Sequence, residues 1–249
     1  MPPILSDSRG PMTLFPSALL ALCLLWVLPC QAAGAEPSAF ALEVPASFKG
    51  RLPCADCPGV LWHLDLWPER RFHLRREYVD REHLAVALGR WRYEGDGQRL
   101  VLQGAGQGGM YFSVVSDETL EMLDREGKAI KSDLNYALQR QGVFEAAEFP
   151  VSLTGTFRYF ADAASFTDCA TGYAYAVAMT GAYLDLERRY LSATATATAA
   201  GGAPWLVDID AELRNIAAME GEGRRQSLII NHFREGEGEA CPDGEGFVP

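Results

Sequence analysis

From about residue 40 to about residue 140 the chain runs as short segments of alternating apolar and polar residues, with no sustained helical period. A period of two puts successive side chains on opposite faces of a strand, so each segment reads as a strand with one buried face. Val60, Trp62, Leu64 and Leu66 share one face of the first clear segment; Leu61, His63, Asp65 and Trp67 share the other. After the turn Trp67-Pro68-Glu69-Arg70, Phe72, Leu74 and Tyr78 alternate with Arg71, His73, Arg75 and Glu77. Trp91 and Tyr93 follow, then the turn Gly95-Asp96-Gly97, then Leu100 and Leu102. Met110–Val115, Leu120–Leu123 and Leu134–Leu138 complete the series, with Asp124–Gly127 as a further reverse turn. Strands recurring about every ten residues form a meander that closes on itself, and about eight of them suit a small antiparallel barrel.

Residues 141–150 break this pattern and read as a linker between a first domain, 36–140, and a second, 151–241. Val151–Phe160, Ser165–Cys169 and Tyr173–Val177 read as strands. The period then changes, with Tyr183, Leu184, Leu186, Tyr190 and Leu191 at helical spacing. Ser192–Gly202 is an Ala/Thr/Gly tract expected as a loop, and Trp205–Leu213 and Gln226–Phe233 are the last strands. Three strands, a helix and two strands is the element order of an OB-fold. The fold class is therefore mainly all-β, an eight-stranded barrel followed by an OB-like barrel with one helix. The Gly- and Glu-rich end of the chain, 242–249, is expected to be disordered.

One stretch carries chemistry. In FKGRLPCADCPGVLWHLDLW, residues 48–67, Cys54 and Cys57 stand two residues apart, flanked by Pro53 and Pro58, with Gly59 next. Proline fixes φ and glycine tolerates positive φ, so the thiols sit on a tight turn at the mouth of a strand. Such a pair can close a small disulfide, ligate a soft ion such as Cu(I) or Zn(II), or exchange disulfides. A thioredoxin-type role expects the motif to open a helix in a βαβ unit, and no such unit is present.

The first 35 residues read as an export signal. The apolar run Leu14–Leu28 follows a single cation, Arg9, and is too short to span a bilayer comfortably. Met12 is an alternative start. Ala33-Gly34-Ala35 fits cleavage before Glu36, whereas Cys30 offers a lipid-attachment route with Pro29 where a small residue is wanted; Cys23, after Leu22, is no better. Cleavage before Glu36 removes Asp7 and Arg9 and leaves the net charge at −11. That acidity argues against nucleic acid and anionic lipid as partners. Cys54, Cys57, Cys169 and Cys241 remain, an even number in an exported chain, with three possible pairings. Local pairing of Cys54 with Cys57 leaves Cys169 for Cys241. A cross-link over that long separation stabilises a domain by about 4 kcal/mol in the chain-entropy model.

Three segments together resemble the NlpE family, the copper-resistance and surface-sensing lipoproteins of Gram-negative envelopes: Phe48–Gly59, Leu120–Gly127 (LEMLDREG) continued by Leu134-Asn135-Tyr136, and Tyr159–Gly172 (YFADAASFTDCATG). The resemblance implies a lipocalin-like N-terminal barrel and a C-terminal OB-fold. It matches Cys54 and Cys57 to the family's CxxC, and Cys169 and Cys241 to its C-terminal disulfide pair. It also implies a non-catalytic sensor in the periplasm, attached to the outer membrane by lipid, that signals through an inner-membrane sensor histidine kinase. Copper is the ion it points to, with no cofactor required, and a thiol oxidase is the expected partner of the cysteine pairs. The departure is Val27-Leu28-Pro29-Cys30, a poor lipobox, which leaves both soluble export and anchoring open.

Rival readings are a lipocalin-like carrier of a small apolar ligand, a periplasmic Cu(I)-binding protein, and a thiol–disulfide enzyme using Cys54. The carrier reading requires a lumen not filled by Trp62, Phe72, Trp91 and Tyr93. Ser165, His63 and Asp65 are present, but no GxSxG setting surrounds a serine. His63, His73, His83 and His232 make no i, i+4 pair; His63 and His73 are expected to face each other across one hairpin as exposed histidines rather than copper ligands. Met110 and Met122 lie in apolar runs and are expected as barrel packing rather than copper ligands.

Overall fold

In this computed structural model the described residues are 42–95, 98–104, 108–195, 202–217, 223–238 and 241. The expected export signal with Cys30, the Asp96-Gly97 turn, most of the Ala/Thr/Gly tract and the 242–249 tail lie outside them. Eight antiparallel strands make the first barrel: β1 (Ala46–Leu52), β2 (Val60–Leu66), β3 (Arg71–Tyr78), β4 (Leu84–Glu94), β5 (Arg99–Gln103), β6 (Met110–Ser116), β7 (Thr119–Met122) and β8 (Ala137–Arg140). Each pairs with its neighbour in sequence, and β8 closes on β1 through Phe48↔Arg140 and Lys49↔Gln139. The last strand lies later than the alternation suggested, since Leu134 is 61% exposed and precedes it.

The lumen is a filled core. Phe48, Leu64, Phe72, Leu74 and Phe112 are fully buried, Trp62 and Trp91 are 8% and 3% exposed, and Tyr93, Met110 and Met122 abut the same cluster. β4 and β5 approach so closely that a Cβ on Gly89 would lie 1.9 Å from the Gln103 carbonyl oxygen. The condition set for a carrier is not met, and that expectation is dropped.

The second barrel comprises β9 (Phe149–Phe160), β10 (Ala163–Asp168), β11 (Ala174–Val177), α1 (Tyr183–Ala193), β12 (Trp205–Ala217) and β13 (Arg224–Glu235). Its closed order is β10-β11-β13-β12-β9, with β11 and β13 parallel at Ala176↔Ser227. This is an OB-type barrel with its helix between the third and fourth strands. Ala161 and Asp162 both take positive φ in the two-residue turn from β9 to β10, the hairpin connection that matches strand twist. Of the residues at helical spacing, Tyr183, Leu186 and Tyr190 are buried while Leu184 and Leu191 are exposed. Tyr190 meets Phe157 edge to face at 5.3 Å and donates to the Ala203 carbonyl, so α1 plugs the barrel. Among the described residues no helix is long and apolar enough to cross a membrane.

The segment read as a linker is a fixed strap. Its Gln141 N–H donates to the Ser47 carbonyl, its Ala147 N–H to the buried Asp65 carboxylate at 2.7 Å, and its Ala146 carbonyl accepts from Asn215. Its last residues, Phe149 and Pro150, already belong to β9. The barrels also meet directly, because Leu84, Val86 and Leu88 on the outer face of β4 join the second core.

Candidate functional site

The Cys54/Cys57 turn joins β1 to β2 just beyond their last pair, Leu52↔Val60. Gly59 takes φ +150°, and a Cβ there would lie 2.6 Å from Arg51 Nε. Arg51 in turn donates to the Pro58 carbonyl at 2.7 Å. The other side of the turn is held by Arg81, which bonds the Asp56 carbonyl at 2.6 Å and pairs with its carboxylate at 2.9 Å. The structure joins Cys54 to Cys57 in a disulfide, and both half-cystines rest on the first core. One ligand atom from each of Cys54, Asp56 and Cys57 lies within 4.8 Å of the others. Two sulfurs and a carboxylate oxygen on one half-exposed turn can behave in two exclusive ways. Oxidised, the sulfurs are spent on each other; reduced, two thiolates face a soft ion.

The second bridge joins Cys169 to Cys241 across 72 residues. Cys169 opens the turn after β10, and its N–H donates to the Thr154 carbonyl. The buried Asp168 carboxylate accepts from the Thr171 N–H at 3.0 Å and its hydroxyl at 2.6 Å, which curls the turn back. The Thr171 carbonyl so presented accepts from Arg90 Nε of the first barrel at 3.0 Å. The second bridge is thus anchored in a turn that touches the other barrel.

Sequence reasoning missed the polar cluster buried between the barrels. Arg71, 5% exposed, has its guanidinium 3.6 Å from the Trp67 ring and 4.0 Å from the Tyr173 ring. Its Nη1 donates to His73 Nε2 at 3.0 Å and to Gln226 Oε1 at 3.3 Å. Tyr175 donates its hydroxyl to the same His73 nitrogen at 3.1 Å. Arginine can only donate, so Nε2 accepts and the proton of the neutral ring sits on Nδ1. Burial, and after it the Arg71 charge, holds the His73 imidazole well below its ordinary range. Burial likewise lowers Arg71 and raises the Tyr175 phenol.

His73 was expected on the surface facing His63, and both parts of that expectation are corrected. His73 is fully buried, and in the β2–β3 ladder it lies opposite Asp65, while His63 lies opposite Arg75. The second barrel covers the face that alternation marked as wet. His63 instead meets Asp65, Nε2 to Oδ1 at 3.1 Å, and Asp65 accepts from Ser47 at 2.6 Å. Ser165 stands apart from them in β10 of the other barrel. A signal for the covered face was present in β4, which carries Leu84, Val86 and Leu88 on one face and Trp91 and Tyr93 on the other.

Comparison with known proteins places both halves in one family. The NlpE N-terminal domain model matches residues 48–133, and the NlpE C-terminal OB domain model matches residues 147–242. The chain is 39% identical over 173 residues to Lipoprotein NlpE of Escherichia coli (strain K12), a match covering 66% of this chain and 66% of that protein. The crystal structure of the Cpx pathway activator NlpE from Escherichia coli shares 30% identity with it, covers 80% of this chain and 98% of its own, and superposes with a TM-score of 0.32. A Shewanella oneidensis protein provisionally classed as a lipoprotein shares 30% identity and covers 41% of this chain and 93% of its own, with a TM-score of 0.36. With both domain models matched in order along most of its length, the chain belongs to the NlpE family.

Proposed function

We propose that this chain is a non-catalytic envelope stress sensor whose Cys54/Cys57 turn reports copper and thiol oxidation. One observation carries the metal half: two sulfurs and the Asp56 carboxylate share one turn, tied down by Arg51 and Arg81 rather than left loose. Similarity to a Cpx pathway activator supports the signalling half, in which the partner is an inner-membrane sensor kinase. In this reading residues 1–35 direct export to the periplasm, where a thiol oxidase closes the pairs. Lipid at Cys30 would hold the protein at the outer membrane.

The test is a competition between the reduced protein and a chromogenic Cu(I) chelator, run beside a reporter of kinase output in cells exposed to copper. Binding and the copper response should both be lost in the Cys54→Ser/Cys57→Ser variant. Retention of both would refute the metal role. The oxidised wild type should bind no Cu(I), because its sulfurs are joined.

A further inference from the structure

A cleft of about 780 Å³ lies over the inter-barrel cluster. Lys49, Arg71 and Arg75 line it from the first barrel and Arg224 and Arg225 from β13, against Glu69, Glu145 and Glu148. A chain of net charge −11 has thus gathered an excess of cations in its inter-barrel cleft. Glu148 is already engaged, accepting from the Asn215 N–H at 2.8 Å and from Arg214 at 3.1 Å.

Arg71 is the unusual member. Its Nη1 bonds only neutral acceptors, His73 and Gln226, and its buried Nε has no hydrogen-bond partner. The carboxylate beside that Nε is Glu69, 3.7 Å away on a side chain that is 57% exposed. Beside it the buried Trp67 Nε1–H is also without a partner, and Trp67 lines the same cleft. A buried cation with no anion in hydrogen-bonding range is costly, and a guanidinium edge matches a carboxylate's two oxygens. The rings of Trp67 and Tyr173 fix the guanidinium plane and, with Phe144, give the cleft an aromatic wall.

We propose that the cleft between the two barrels is a binding site for a carboxylate on a partly apolar body, with Arg71 as its principal donor, Trp67 Nε1 as a second, and Arg224 and Arg225 as the charged rim. The same chemistry belongs to an acidic side chain of a partner protein and to a free organic acid. The site is independent of whether the Cys54/Cys57 turn takes a metal.

Calorimetric titration of the full, oxidised chain tests it with three probes: succinate, the capped peptide acetyl-Gly-Glu-Phe-Gly-amide, and inorganic phosphate. A carboxylate probe should bind saturably, and Arg71→Gln should weaken it about tenfold or more, as expected for loss of a charge-assisted pair. Because Arg71 also bridges the barrels, Arg224→Gln/Arg225→Gln, at exposed positions of β13, provides a second measure. That variant should bind about threefold more weakly with unchanged unfolding behaviour. A peptide preferred over succinate identifies a protein side chain as the source, and the reverse identifies a free acid. The proposal is overturned if neither carboxylate binds, if phosphate binds as tightly, or if both variants bind like the wild type.

Discussion

His73 is neutral and enclosed, and in unfolded chain it would be an ordinary imidazole titrating near about 6.5. Its folded-state value is depressed by burial first and by Arg71 second. As pH falls below about 6.5 the unfolded chain therefore takes up a proton that the folded protein refuses. Stability is lost on acidification, with a slope from this residue of up to about 1.4 kcal/mol per pH unit until the folded-state value is reached. The groups touching the ring do not titrate in that window: Arg71 stays charged, and burial keeps Tyr175 protonated. Denaturant unfolding from pH 7.5 to pH 5 should show the slope in the wild type and a shallower one in His73→Gln, whose amide can still accept from Arg71. Equal slopes would remove His73 as the cause. Alternation in β3 correctly sorted Phe72 and Leu74 from Arg71 and His73, but it reports only which residues share a face. What covers that face is a long-range fact, settled by Tyr173, Tyr175 and Gln226 a hundred residues or more away in sequence.

The strands were legible because each obeys a local rule: two-residue alternation, turns with proline, glycine or aspartate, and a helix where the period lengthens. β4 and the 141–148 strap were less so, because their environment comes from contacts between barrels. β4 is apolar on both faces, one toward each core. The strap has no regular period; mostly side chains elsewhere satisfy its backbone groups, which is why it reads as a linker. Asp65 is the main fastener on the first barrel, accepting from the Ser47 hydroxyl and the Ala147 N–H while contacting His63. Asp65→Ala would leave the buried Ala147 N–H unpaired, at about 1–3 kcal/mol, while the Ser47 hydroxyl keeps the Glu145 carbonyl at 3.2 Å as an acceptor. The expected result is a loss of about 2 kcal/mol in unfolding free energy, with faster amide exchange at Ala147. If the Ala147 amide stays protected in that variant, Asp65 is not what fastens the strap.

Two barrels, one strap and two sulfur bridges raise the question of where cross-linking matters most to the fold. On the chain-entropy model the benefit grows with the logarithm of the loop closed. The Cys54–Cys57 bridge closes a separation of 3 residues and is worth about 2 kcal/mol, whereas Cys169–Cys241 closes 72 and is worth about 4 kcal/mol. The longer bridge also begins in the turn where Asp168 holds Thr171 and Thr171 meets Arg90, so loosening it should disturb the neighbouring Tyr173 and Tyr175 contacts with Arg71 and His73. Cys169→Ser/Cys241→Ser should therefore lower the unfolding free energy by about twice as much as Cys54→Ser/Cys57→Ser. It should also split a shared transition into two, the OB-type barrel melting first, because its own bridge and its hold on the other barrel weaken together. Differential scanning calorimetry of the two double variants distinguishes the outcomes. Equal losses, or a single unsplit transition in both, would mean that each bridge acts only on its own turn.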